Sequence, residues 1–369
     1  MMKIAYDYQI FSNQKFGGIS RYFFELANHL AGFEGGELDC RINTPVYIND
    51  YLSYSSSELV VSGMNVPAIP RTSLIYREIN RLISPILFSR WQPDIVHETY
   101  YSSKSIAPSG SKVVVTVYDM IHELYPEHFS AHDRTREYKK IAIDRADHVI
   151  CISENTQKDL IRLLGVVPEK TTVVHLGFAL TQSIPVPLPL QPQPFILYVG
   201  SRGGYKNFKR LLEAYASHTE LHANYDLIAF GGGAFNSQEL EMIRRLHLPL
   251  TQVRQLNGDD GVLAALYRQA AMFVYPSLYE GFGIPPLEAM SFNCPVACSN
   301  TSSVPEVVGN AAIQFDPLDI DSIANALVRL ASDKALRAKL IELGKARVAK
   351  FDWEQCAKQT LDVYRALLK

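Results

Sequence analysis

Two glutamates, Glu280 and Glu288, bracket a short loop in the stretch SLYEGFGIPPLEAMS (277–291). Between them lie Gly281, Phe282, Gly283, Ile284 and two prolines. The run just before, MFVYPS (272–277), reads as a buried strand. Glycines beside an acid leave backbone N–H groups uncovered. A proline in the first helical turn forfeits no hydrogen bond, so Pro285 or Pro286 marks a helix start and Glu288 falls about one turn inside it. A helix N-terminus favours phosphate oxygens, and a carboxylate accepts hydrogen bonds from two vicinal hydroxyls at once. One acid, a bare loop, a helix end and a second acid together suit a sugar, a diphosphate and a ribose. An ordinary acidic preference at helix starts accounts for Glu288 alone and leaves the ensemble unexplained.

Other stretches carry chemistry of the same kind. In NQKFGGISRYFFEL (13–26), Gly17 and Gly18 precede an amphipathic helix. They suit either phosphate contact or a turn needing positive φ. In VGSRGGYKNF (199–208), Arg202 and Lys206 sit in a loop after a strand. Arg forks onto two oxygens and Lys acts as a point charge, so the pair suits a pyrophosphate; a solvated basic loop is the plain alternative. The segment is not a Walker A sequence. GGGAF (231–235), beginning at Gly231, allows close backbone approach or simply a flexible turn. QLNGDDG (255–261), which contains Leu256, ends a strand, and Asp259 or Asp260 caps the next helix. The backbone at Leu256 could hold a base edge. In VYDMIHELYPEHF (117–129), Asp119 and His122 follow a strand end, where groups that touch ligands gather. His122 could bond a sugar hydroxyl or simply be satisfied within its loop.

The elements that must position these residues alternate along 369 residues. Strands are expected at 3–8, 39–43, 94–98, 112–119, 148–153 and 171–176, then at 195–201, 225–231, 252–257, 272–277, 295–299 and 312–316. Helices are expected at 20–32, 72–91 and 133–146, then at 207–219, 236–246, 260–270, 285–292, 319–332, 334–350 and 353–369. Alternating strands and helices with near-continuous apolar strands predict parallel sheets covered on both faces. Five prolines between 185 and 194 suit neither helix nor central strand. The expected organisation is therefore a Rossmann-like domain over 1–180, a linker over 181–194 and a second Rossmann-like domain over 195–352, facing each other across a cleft. The helix 353–369 either caps the second domain or crosses back to the first.

Bulk properties exclude several classes. Apolar residues make up 47% and charged residues 20%, as in an ordinary soluble protein. The net charge is −2 and neither half of the chain is basic, which argues against nucleic-acid binding. Five scattered cysteines, Cys40, Cys151, Cys294, Cys298 and Cys356, read as reduced core thiols, not as metal ligands. The chain starts directly on a strand, with no signal segment and no run long enough to span a bilayer, so a cytoplasmic location is expected. No GxGxxG is present, which argues against a dinucleotide oxidoreductase.

Taken in order, GGISRY, ADHVICISENTQKDL, YVGSRGGYKNF, EGFGIPPLE and PVACSNTSSVPEVVGNAA resemble glycosyltransferase family 4, over nearly the whole chain. The E-x7-E pair Glu280–Glu288 is the most specific part. The resemblance implies an α/β GT-B fold and a retaining hexosyltransferase that uses a UDP- or GDP-sugar donor. It implies no cofactor and no metal. Glu288 would bind the ribose hydroxyls and Glu280 the donor sugar. Gly281, Phe282, Gly283 and Ile284 would meet sugar and diphosphate through their backbones. Arg202 and Lys206 would neutralise the leaving diphosphate, and Gly17 and Gly18 would complete the phosphate site. The final helix would cross back to the first domain. Two departures stand out. Where many relatives end the VVVTVYD strand in His-Asp, this chain has Tyr118-Asp119, with a histidine only at 122. The usual Arg-Lys pair is Tyr205-Lys206, which makes Arg202 the second cation.

The implied acceptor is a hydroxyl of a glycan or lipid-linked glycan, in exopolysaccharide or lipopolysaccharide synthesis. Residues 71–91 combine four arginines with Leu, Ile, Phe and Trp. They suit an interfacial helix at the cytoplasmic membrane face, or a plain surface helix interrupted at Pro85. A nucleotide-sugar epimerase of the same architecture and a non-catalytic sugar-nucleotide binder are the alternative functions.

Overall fold

A computed structural model describes residues 1–33, 37–69, 72–178 and 193–369. The chain divides into two compact units. One comprises Met1–Gly177 with Phe351–Lys369, and the other comprises Phe178–Lys350. The proline-rich linker expected over 181–194 lies outside the described residues except for its last two positions.

The first unit is built on seven parallel strands. They are β1 (Met2–Tyr6), β2 (Leu38–Tyr47), β3 (Val60–Asn65), β4 (Ile95–Glu98), β5 (Lys112–Val117), β6 (His148–Cys151) and β7 (Thr171–Val173). Their order is β3-β2-β1-β4-β5-β6-β7. The central strands bury nearly every side chain, which is why they read as unbroken apolar runs. Strand β3 was not anticipated. It is an edge strand of sequence VVSGMN, largely exposed, with no alternation to betray it. It joins β2 across an irregularity between Asn43 and Val46. Gly63 passes so close to Thr44 that a Cβ would lie 1.8 Å from the Thr44 carbonyl oxygen. The irregularity is closed from outside the sheet: Asn80 accepts from Val46 N–H and donates to Val46 C=O, both at 2.8 Å.

Helix Ser73–Trp91 carries Asn80 and runs straight through Pro85. Pro85 is exposed, so the hydrogen bond it cannot donate is missing on the solvent side of the helix. A further helix, Glu154–Leu164, was absent from the expected elements although its caps stand in the sequence. The Ser153 hydroxyl accepts from Thr156 N–H, and Gly165 closes the end in the left-handed region at φ 67°.

The chain's last helix, Trp353–Leu367, belongs to the first unit and packs on helix Gly18–Ala31. A buried polar chain anchors it. His97 Nδ1 lies 2.6 Å from the Tyr364 hydroxyl, and Nε2 lies 2.8 Å from Thr116 Oγ1. Tyr364 also meets the Tyr6 hydroxyl at 3.2 Å. Burial pushes the His97 imidazole down to about 3, so it is neutral.

The second unit has six parallel strands. They are β8 (Phe195–Val199), β9 (Asp226–Phe230), β10 (Val253–Leu256), β11 (Met272–Tyr275), β12 (Val296–Ser299) and β13 (Ala312–Phe315), in the order β10-β9-β8-β11-β12-β13. The order reverses between β8 and β11, where ligands of open α/β sheets bind beyond the strand ends. All five cysteines are free and buried. Among the described residues no cluster of His, Cys, Asp or Glu could hold a metal ion.

Candidate active site

The acid loop leaves the end of β11 and enters helix Ile284–Ser291, whose first turn holds Pro285 and Pro286. Gly283 makes that entry at φ 110°, a conformation that favours glycine. The loop is stitched to a neighbouring segment. Glu280 N–H donates to Ser302 Oγ at 2.9 Å, and the Ser303 hydroxyl donates to the carbonyls of Glu280 and Phe282, both at 2.8 Å. Glu280 and Phe282 are consequently buried although they lie in a loop.

The Glu280 carboxylate meets Lys206 Nζ at 2.6 Å. Both side chains are largely shielded from water, 10% and 19% exposed, so their attraction is stronger than that of a surface pair. Lys206 ends a short turn, Gly204–Lys206, and is fixed by the residue after it. Asn207, in the left-handed region, donates through its amide to the carbonyls of Pro276 at 2.9 Å and Pro317 at 2.7 Å. Leu278 N–H bonds the Tyr205 carbonyl at 2.7 Å. The loop that carries the cation is thus bound to the strand end that carries the acid. One carboxylate offers about four lone-pair sites, and Lys206 occupies one of them. The buried Tyr275 phenol bonds the same carboxylate, and burial with the Glu280 charge keeps that phenol neutral.

Glu288 lies one turn into the helix and is half-buried. The hydroxyl of Tyr267 donates to its Oε2 at 2.9 Å. Tyr267 is fully buried, and burial first, then the Glu288 charge, hold its pKa well above the usual phenol range. It stays a neutral donor aimed at one oxygen. Neither tyrosine stood out in the sequence, because a tyrosine at a core position of a strand or helix reads as packing.

Arg202 requires a correction. The sequence suggested a cation turned to phosphate beside Lys206. Its side chain is instead 3% exposed and forks onto Glu239, with Nε at 2.7 Å and Nη2 at 3.2 Å. It also donates to the carbonyls of Gly231 at 2.7 Å and Ala234 at 3.0 Å. Its charge is balanced and its donors are engaged in holding the triple-glycine loop. That loop keeps Gly231, Gly232 and Gly233 all at positive φ. A Cβ on Gly232 would lie 2.8 Å from the guanidinium, so the glycines serve this clamp. Leu256 is drawn into the same region. Its carbonyl accepts from Gly231 N–H at 3.0 Å and from Gln255 Nε2 at 2.8 Å, which fills both lone pairs that a base edge would use.

The remaining expected residues are on the first unit. Gly17 caps helix Gly18–Ala31 in an extended conformation, and a Cβ there would lie 2.2 Å from Gln14 Oε1. That oxygen accepts from Ser20 N–H at 3.3 Å, so Gly17 makes room for a side-chain cap. Gly18 has open space around it. Asp119 accepts from Ile121 N–H at 3.0 Å, and its carbonyl accepts from Lys139, which pairs with Glu123 at 2.8 Å. His122 is stacked on Phe129 with centroids 3.8 Å apart and lies 3.6 Å from Asp133. Its ring is therefore held within its own loop.

Two parallel-sheet units with these strand orders are the architecture of GT-B glycosyltransferases. Comparisons with known proteins agree. Residues 16–182 match the family described as Glycosyltransferase Family 4, and residues 182–347 match Glycosyl transferases group 1. The chain belongs to glycosyltransferase family 4. O-antigen chain mannosyltransferase B of Escherichia coli is 29% identical over 95% of this chain and 96% of its own. Sucrose-phosphate synthase from Thermosynechococcus elongatus superposes with a TM-score of 0.74 at 21% identity, over 100% of this chain and 99% of its own. Anabaena HepE, solved with UDP and glucose, superposes with a TM-score of 0.72 at 19% identity, over 99% of this chain and 100% of its own.

Proposed function

We propose that the chain transfers a hexosyl group from a nucleoside diphosphate sugar to a hydroxyl of a glycan or lipid-linked glycan, with retention, in the synthesis of a lipopolysaccharide or exopolysaccharide. GDP-mannose is the first donor to test, because the relative of matching length is a mannosyltransferase. UDP-hexoses come second, because HepE was solved with UDP and glucose. The observation that carries the reading is the paired acids on one loop and helix, Glu280 against Lys206 and Glu288 against Tyr267.

In this reading Glu280 holds the donor sugar and Glu288 the ribose. The bond from the anomeric carbon to the diphosphate breaks, and the acceptor oxygen bonds that same carbon from the same face. The acceptor proton passes to the departing phosphate oxygen. Negative charge grows on the diphosphate, and Lys206 with the helix start at Ile284 stabilises it. Arg202 acts indirectly, by holding the Gly231–Gly233 loop. Gly17 and Gly18 contact phosphate, and Asp119 and His122 orient hydroxyls without attacking.

A panel of GDP- and UDP-sugars, screened by thermal shift and then by turnover, tests the donor. Glu280→Ala should lower turnover about 100-fold, as expected for losing a positioning or electrostatic group. Near-normal turnover in that variant overturns the assignment. Donor incubated without acceptor should be hydrolysed slowly; an inverted sugar centre in the recovered donor would favour the epimerase.

A further inference from the structure

Strands β11 and β12 are parallel neighbours, with Tyr275 opposite Cys298, so the loops that leave their ends start side by side. The loop after β12 contains Thr301-Ser302-Ser303, a run that suits a solvated turn. All three hydroxyls instead bond the backbone of the acid loop. The Thr301 hydroxyl donates to the Leu278 carbonyl at 3.1 Å. Ser302 Oγ accepts from Glu280 N–H at 2.9 Å. The Ser303 hydroxyl shares its proton between the carbonyls of Glu280 and Phe282, each at 2.8 Å. The N–H and the carbonyl of Glu280 are thus both fixed by side chains of one neighbouring segment.

Two of these residues give up a local preference to make those bonds. Ser302 sits in the left-handed region at φ 54°, which is disfavoured for a residue with a Cβ. Ser303 holds the N-cap position of helix Val304–Val308, where a serine hydroxyl ordinarily caps its own helix, yet it makes no cap bond. It is fully buried. The far end of that helix is braced as well. Arg347 donates through Nε to the Val307 carbonyl at 2.7 Å and through Nη2 to the Glu306 carbonyl. Backbone strain persists only where surrounding contacts enforce it, and such sites gather where ligands are held. The clamped peptide carries the carboxylate that meets Lys206 at 2.6 Å. We propose that Thr301, Ser302 and Ser303 are positioning residues for the reaction: they fix the backbone of Glu280 and so set where its carboxylate meets the donor sugar. The inference rests on the donor reading given above for Glu280.

Ser302→Gly tests it, because glycine accepts this φ without strain and the change removes only the hydroxymethyl group. A serine that served stability alone would alter the melting temperature and leave the turnover of the folded enzyme unchanged. The clamp predicts instead that turnover at saturating donor, measured with the GDP- or UDP-sugar that the panel selects, falls roughly tenfold. That is short of the about 100-fold expected for losing the carboxylate itself. Affinity for the matching GDP or UDP, read by calorimetry, should stay at the parent value, because Glu280 meets the sugar. Parent turnover in Ser302→Gly, or a loss of diphosphate affinity as large as the loss of turnover, would overturn the proposal. The variant Glu280→Ala/Ser302→Gly separates the clamp from the donor reading. If Ser302 acts through Glu280, the double variant turns over like Glu280→Ala alone; losses that multiply would show that it acts elsewhere, and overturn the proposal too. Near-parent turnover in Glu280→Ala removes the donor reading and the clamp's role with it. A large loss there beside parent turnover in Ser302→Gly removes the clamp alone.

Discussion

Glu280 and Glu288 are each held by a neighbour from outside their own loop, and the neighbours differ in kind. Lys206 brings a charge to Glu280, whereas Tyr267 brings a neutral hydrogen bond to Glu288. This difference predicts separable defects. Tyr267→Phe removes one bond to a carboxylate and leaves the ring in place. Affinity for the nucleoside diphosphate, read by calorimetry, should fall about tenfold, the size expected for a hydrogen bond to a charged group. Turnover at saturating donor should stay near the parent value, because the sugar end is untouched. Unchanged affinity would refute the role, and if Glu288→Ala also left affinity unchanged, the ribose assignment would fall with it. The two acids were legible from type and spacing. Tyr267 and the partner of Arg202 were not, because Glu239 lies 37 residues from Arg202 and nothing local links them.

At the scale of elements, strand and helix types followed from periodicity, and the exceptions have causes. Strand β3 is exposed and aperiodic, so it carries no apolar signal. Helix Ser73–Trp91 survives Pro85 because the proline sits on the solvent side. Contact between elements can be tested at Gly177. A Cβ there would lie 2.3 Å from the Trp353 ring and 2.6 Å from its Cα, so backbone as well as side chain would have to give way. Gly177→Ala should cost about 1–3 kcal/mol, the range for overpacking a tight contact, and lower the melting temperature. A parent-like melt would show that the last helix yields freely at this point.

Across the whole molecule, the last helix of the chain is tied to the first strands through His97 and Tyr364, 267 residues apart. That tie has a pH signature. Unfolded, His97 takes up a proton near its ordinary value of 6.5; folded, it does so only near 3. Between those values the unfolded state binds the extra proton, so this residue removes stability as pH falls from 6.5 towards 3. Glu98 opposes it. Burial lifts its carboxyl to about 7 despite its bond to Arg145, so it binds a proton in the folded state first and adds stability as pH falls from 7 to 4.5. Melting temperatures of the parent and His97→Gln, measured from pH 7 to pH 4, separate the two. The parent should lose stability more steeply than the variant below pH 6.5, and parallel curves would mean that His97 is not buried neutral.

What the sequence determined by itself is the local part. Alternating apolar strands and helices required two parallel sheets, and the spacing of Glu280 and Glu288 around glycines and prolines marked a strand end leading into a helix. Side-chain periodicity and turn chemistry act over a few residues, so one chain displays them directly. The tertiary structure decided the pairings. It turned Arg202 onto Glu239, set Tyr267 behind Glu288, and placed Asn80 inside and Ile75, Leu82 and Ile86 outside on one helix. These depend on which distant elements come to lie side by side, and a buried polar group takes the partner that packing brings within reach.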